Sequence, residues 1–415
     1  MSSCWRIFSL EVLGLLRGKT FALLMLAVNA WVLLAPRLVR GDGTTEGAEE
    51  LMLKYALGGA AAILAVAMLT TGAGSIARER ETHRLQLTLV RPVASCTVVA
   101  GRILALGAVF SFVLAVAFGV YLAAVPHATL SSGVCSHVLK PVMMSPREEA
   151  VQVYDAFINE PETPPEIRRA PKAVILRLLA QRAIDRYQVV QPGETESWRF
   201  KLTPDAESVS VRLRFTNLYD QRRRIAGRLD LGGAGAVVDN ITQAVCVFDL
   251  AGKPQGDTLV FANTGKEAVM LRPRKDIELL VPADGFGFNL LRAWVELASL
   301  LTLLAAFSVA LSAFLGRPVA VFVAVVALVL AEMSPSVIEQ YPDELERDRI
   351  DAVGLFLSRL AMEATHPASA VNPIDKLAER ECVEWRETIK IFAMDAGLLP
   401  LVLTLLAAYC LPRKQ

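Results

Sequence analysis

Charge is scarce in this chain: 20% of its 415 residues are Asp, Glu, Lys or Arg, against 53% hydrophobic. The mean hydropathy of +0.42 is higher than a soluble globular protein of this size carries. A cytoplasmic enzyme, a disordered chain and a collagen-like fibre are thereby excluded. The formal net charge is +1, so there is no basic field for nucleic acid and no nucleic-acid partner is expected. Histidine is sparse too. His83, His127, His137 and His366 do not pair at metal-ligand spacing. The six cysteines contain no CxxC, which leaves a zinc or thioredoxin-like site without support. Cys4, Cys96 and Cys410 fall in or beside apolar runs, whereas Cys135, Cys246 and Cys382 do not. A Cys135 to Cys246 disulfide and isolated buried thiols are both open readings. No HExxH or GxSxG is present, and Gly18-Lys19, Gly252-Lys253 and Gly265-Lys266 lack the flanking glycine and hydroxyl of a phosphate-binding loop. No catalytic residue, metal or cofactor is therefore assigned to this chain.

What the chain does have is long apolar runs. A bilayer core of roughly 30 Å needs about 20 apolar residues as helix, and 56–74, 103–125 and 295–315 meet that length. The runs 20–35 and 318–331 are shorter, and 391–411 contains Asp395 and Pro400. Together they predict an α-helical polytopic membrane protein of about six transmembrane helices. The first run reads as an uncleaved anchor, because Leu34-Ala35-Pro36-Arg37 offers no small-x-small cleavage site. Lys and Arg set the orientation. Arg6, Arg17, Lys19, the basic loop 75–102, Arg317, Arg413 and Lys414 fall on one face, whereas Arg37, Arg40 and Lys54 on the other are diluted by acids. Both termini are expected in the cytoplasm of a cell whose inner membrane holds the chain. The basic residues of 333–390 leave that segment either extracytoplasmic or re-entrant.

One large insert, 126–290, lies between the third and fourth spans and is expected outside the cytoplasm. Its lead-in is helical, with apolar positions at 3.6 spacing over 147–158 and 172–187. From 197 the period changes to two: Trp198, Phe200 and Leu202, then Val209, Val211, Leu213 and Phe215, then 225–231, 245–250, 258–262, 268–271 and 277–281 read as short alternating strands, punctuated by Gly, Pro, Asn and Asp. Strands at such spacing predict a mainly-β, sandwich-like domain. The domains read as a cytoplasmic interfacial helix at 1–19, spans one to three over 20–125, the insert at 126–290, and spans four to six over 291–415.

The loop after the second span is the most informative stretch. Arg78, Glu79, Arg80 and Glu81 alternate in sign, Leu85, Leu87 and Leu89 follow, and Pro92 stops the element. From the residues alone this is a short, charged helix at the cytoplasmic surface, serving either as an anchor or as a contact. The order Ser75-Ile76, Glu79-Arg80-Glu81, Leu85, Leu87, Leu89, Pro92-Val93, then Val99, Gly101 and Arg102, resembles the signature between the second and third spans of ABC-2-type exporter permeases. The amphipathic segment 5–19, with Glu11 and Arg17, resembles that family's N-terminal interfacial helix. Residues 371–377 and Trp385 resemble the stretch before its last span. His83-Arg84 and the large insert depart from the pattern.

The resemblance implies a permease without its own ATPase. Its partners would be a separate ABC ATPase subunit holding ATP and Mg, a second permease copy or paralogue, and the lipid bilayer. Glu79, Arg80 and Glu81 would be the coupling contacts, with Arg78 beside them, the leucines holding the helix in the interface and Pro92 passing its displacement on. Three acids within apolar runs, Glu296, Glu332 and Asp395, read as lying near span ends. Each is either a pathway residue or an interfacial carboxylate. The alternative function is a non-transporting envelope scaffold that presents its β-domain to a periplasmic partner.

Overall fold

A computed structural model of the chain describes residues 3–38, 45–81, 94–124, 134–160, 165–168, 170, 172–202, 208–216, 223–241, 245–340 and 373–411. They divide into two compact units: one helical, and one centred on Val134–Asp284 and rich in β-structure.

The helical unit opens with α1 (Ser3–Arg17), an amphipathic helix on which Trp5 and Phe8 stack at 5.0 Å. A break at Gly18, whose N–H donates to Leu15 O, separates it from α2 (Lys19–Leu38). Then come α3 (Thr45–Glu81) and α4 (Ser95–Ala124). The 37 residues of α3 make a rod of about 55 Å at 1.5 Å per residue, well beyond the hydrocarbon thickness.

In the second unit, β1 (Val134–Leu139) precedes α5 (Pro146–Asn159), which Ser145 and Glu148 start with a reciprocal capping box. After α6 (Lys172–Ile184) come nine strands: β2 (Gln188–Val190), β3 (Thr195–Arg199), β4 (Ser210–Arg214), β5 (Arg224–Leu231), β6 (Ala234–Ile241), β7 (Val245–Asp249), β8 (Thr258–Asn263), β9 (Val269–Leu271) and β10 (Ile277–Gly285). They form sheets ordered β1-β10-β4-β7 and β3-β8-β5-β6, with a β2-β9 pair; the registered pairings are antiparallel. Alternation places Val211, Leu213, Ile277 and Leu279 from one sheet, and Leu229, Leu231, Leu259 and Phe261 from the other, in one apolar core. The β5–β6 turn is made by Gly232 and Gly233, both at positive φ (56° and 96°), as a two-residue hairpin with matching twist requires. The strands β1, β2 and β6 were not expected: β6 is rich in Gly and Ala and shows little alternation. Cys246 on β7 carries a thiol whereas Cys135 is disulfide-bonded, so the Cys135 to Cys246 bridge does not form.

Back in the helical unit, the chain continues as α7 (Phe286–Phe314), α8 (Arg317–Gln340), α9 (Pro373–Ala378), α10 (Trp385–Ile391), a π-helical segment (Phe392–Leu398) and α11 (Leu399–Cys410). Among the described residues five helices are long and apolar enough to cross a membrane: Lys19–Leu38, Glu50–Glu79, Ser95–Ala124, Phe286–Phe314 and the continuous Trp385–Cys410. The run at 318–331 lies in α8, whose apolar described part, Arg317–Val329, is shorter. Small residues set the packing, because backbones must approach closely where lipid offers no hydrophobic drive. A Cβ on Gly72 of α3 would stand 2.0 Å from Ser308 Oγ of α7, and one on Gly107 of α4 would stand 2.9 Å from Thr302 Oγ1. Leu23, Leu26, Leu401 and Leu405 face outward, where lipid would cover them.

Candidate functional site

Two groups of polar side chains stand out in the helical unit. The first is built on Arg102, on the second turn of α4 and only 4% exposed. One guanidinium nitrogen donates to Ser75 O of α3 at 3.0 Å, and another is in direct contact with the Glu79 carboxylate on the same helix. Glu11 of α1 stands 3.9 Å from Nε. A buried charge demands paired, hydrogen-bonded surroundings: α3 supplies both hydrogen bonds, and α1 adds only the longer charge contact of Glu11, which leaves Nε without a hydrogen bond.

Glycine makes the approach of α1 possible. A Cβ on Gly101 would come within 2.9 Å of Ile7 Cγ2, so only the bare backbone lets α1 settle onto α4. Arg102 brings one positive charge to two carboxylates, and Glu79 holds the direct contact. Glu11 is left second: partial burial and the Glu79 charge push its carboxyl above the ordinary range, with Arg102 opposing.

This grouping lies at the start of the stretch singled out from the sequence. Arg78 is exposed beside it, and Arg80 and Glu81 continue α3, although nothing of their side chains is described. Leu85, Leu87, Leu89 and Pro92 lie outside the described residues. Glu79 is half-buried and engaged with Arg102. Arg102 was legible only as a basic residue opening a span; no local pattern names its partner.

The second group lines one face of α7. Asn289, Arg292 and Glu296 follow at helical spacing and are all buried. Asn289 donates to Glu381 O and accepts from Val383 N, both at 2.7 Å, and Arg292 donates to Val383 O at 2.9 Å while lying 5.0 Å from the Trp385 ring. Glu296 Oε1 accepts from Thr388 Oγ1 at 2.8 Å. These contacts correct the expected start of the fourth span. Polar residues in its first turns broke the apolar run at 295, but Asn289 and Arg292 bond to the chain before α10, and the helix begins at Phe286.

Consequently Glu296 is not one turn in but about 15 Å along its helix. Asp395 lies equally far along Trp385–Cys410, within the π-helical segment, and is 0% exposed. Glu332 falls on α8, in a part whose side chains are outside the described residues. Nearby, an apolar groove of about 570 Å³ is lined by Trp5, Phe8, Trp294, Ser299, Thr302 and Phe392.

At the other end of α3, Lys54 bonds Glu50 at 3.0 Å and Glu379, just past α9, at 3.1 Å. The helix is thus held by charge near both ends. No protein-family model, curated protein or solved structure matches the chain, which leaves the trio of Glu11, Glu79 and Arg102 and the buried acids Glu296 and Asp395 as the basis for a function.

Proposed function

We propose that this chain is the transmembrane permease subunit of an ABC-2-type exporter. In this reading it has six spans, both termini lie in the cytoplasm, and a sandwich-like domain stands outside the inner membrane. A separate ABC ATPase subunit binds ATP and Mg and supplies the energy, and a second permease copy or paralogue completes the pathway. The observation that carries the reading is the Arg102 junction. It ties an amphipathic N-terminal helix to the end of the second span and the start of the third, beside the charged loop that resembles the family's signature.

Mechanically, a push on that loop would reach Glu79 and pass through the buried guanidinium to α1 and α4 together. Glu79 then positions the junction, while Arg80 and Glu81 remain to meet the ATPase. Arg78 is exposed at the same place and adds a positive charge to the contact.

The test separates these roles. Glu81→Lys is expected to weaken co-purification of the ATPase by at least about ten-fold, since a like charge would enter a charge-paired contact. Glu79→Gln should keep the ATPase bound but lower permease-stimulated ATP turnover. If both variants match wild type at equal membrane abundance, the loop is only an anchor. If no ATPase accompanies even wild type in mild detergent, the non-transporting scaffold becomes the better reading.

A further inference from the structure

Among the described residues of the helical unit, Asp395 is the least satisfied polar group. It is 0% exposed, and neither of its carboxylate oxygens has a hydrogen-bond partner. Glu296, 4% exposed, bonds Thr388 through one oxygen and leaves the other without a partner. The two acids are near enough for the charge of Glu296 to act on Asp395. An ionised carboxylate buried without a donor is among the costliest groups an apolar interior can hold, and two side by side are worse.

The backbone is unusual at the same point. The last span widens into a π-helix over Phe392–Leu398, with Asp395 in its first turn. π-Helical turns are rare and gather at functional sites, because the extra residue turns a side chain inward at the cost of regular helix. Regular α-helix resumes at Leu399, and Pro400 follows in its first turn; inside the continuous helix Trp385–Cys410 it offers no N–H to the π-helical turn before it.

The neighbouring charges do not meet the need. On α7, Arg292 is committed to Val383 O and the Trp385 ring. On α9, Lys376 bonds Glu387 of α10 at 2.9 Å, and these two act on Glu296 with opposite signs. Arg386 and Lys390 are the other titratable groups of α10, and those of α11 are Tyr409 and Cys410 near its far end. The Thr388 hydroxyl is shared between Glu296 and Glu384 O. Among the described residues no cluster of three His, Cys, Asp or Glu offers a metal ion a ligand set here.

We propose that Asp395 and Glu296 form a proton-binding site within the membrane unit, at which one exchangeable proton occupies the unpartnered carboxyl oxygens. The step is plain acid dissociation: the O–H bond forms on uptake and breaks on release, with no redox partner. Protonation turns an acceptor without a donor into a neutral acid, and so removes the charge that the buried position leaves uncompensated. Ser299, one turn beyond Glu296, lines the apolar groove and marks the side from which a small apolar reagent would approach. The site stands apart from the exporter assignment, because its occupancy is read chemically and needs no ATPase or cargo.

The experiment uses the purified full chain and dicyclohexylcarbodiimide, a reagent that adds protonated carboxyls in apolar surroundings, with the adduct located by peptide mass spectrometry. Between about pH 6 and about pH 9 the adduct on Asp395 should fall at least about ten-fold, with or without sodium present. In Glu296→Gln the pH at half-labelling should move by about one unit or more, the scale of a close charge–charge interaction. No adduct on Asp395 at acid pH would overturn the site. An adduct unchanged across the range would make Asp395 a permanent structural acid and overturn exchange. Protection by sodium at fixed pH would give the site to a metal cation, and an unmoved curve in Glu296→Gln would overturn the pairing. The central measurement reads the wild-type chain, so its outcome does not hang on the folding of a variant.

Discussion

Arg102 brings one positive charge to two carboxylates, and that imbalance decides how the N-terminal helix responds to pH. Glu11, the acid without the direct contact, has its carboxyl raised by burial, then lowered by Arg102 and raised by Glu79. A raised carboxyl binds its proton more tightly in the folded chain than in the unfolded one, so its stabilisation is present at acid pH and is lost as pH climbs through the folded value. Glu11→Gln carries no charge at any pH. Its melting temperature is therefore expected to exceed wild type by a margin that grows from about pH 5 to about pH 8, as scanning fluorimetry would show. A margin that shrinks with rising pH would mean that Arg102 outweighs burial. The sequence placed Glu79 in the informative loop but carried no sign of its partner, for a contact across 23 positions leaves no local pattern. Asp395 was visible as an acid in an apolar run; that it has no partner could only emerge once the π-helix and α7 were in place.

Elements were legible where one periodicity ran uninterrupted. The strands β4, β5, β8 and β10 alternate cleanly and fall close to the expected positions. Helix α5 does likewise, with its capping box in the sequence. What failed was composition-based bounding of α7, because Asn289 and Arg292 read as the end of an insert when they are in fact buried helix residues satisfied by distant backbone. Helix α1 shows how a single small residue can decide an element's place. Gly101→Leu would force Ile7 and the nearby Cys4 backbone away from α4. The half-buried Cys4 thiol is then expected to react with maleimide several-fold faster than in wild type, with the rate in unfolded chain as reference. An unchanged rate would mean that α1 is held by Arg102 and lipid rather than by this contact.

For the molecule as a whole, cysteine chemistry bears on topology. Cys135 and Cys382 are disulfide-bonded while Cys4, Cys96, Cys246 and Cys410 are thiols. Disulfides persist in oxidising compartments, and the proposed orientation, which puts both residues outside the cytoplasm, therefore expects the bonded form to survive in cells. In denaturant without reductant, Cys135 and Cys382 should resist alkylation and the other cysteines should react; after reduction all six should react. In intact cells, a membrane-impermeant maleimide should label a cysteine at Gly233 and not one at Arg84. Labelling at Arg84→Cys would reverse the proposed orientation.

Helix α3 is a long rod whose close backbone contact with α7 lies off centre. Gly72, where that contact falls, is about 10 Å from Glu79 and about 27 Å from Lys54 along the axis. A rod rocking on that point would be a lever with unequal arms. A displacement of about 1 Å at the Glu79 end would become roughly 2.5 Å at Lys54, enough to part its bond with Glu379. The small residues that allow the close crossing would then act as the fulcrum, and a side chain at Gly72, meeting Ser308, would block it.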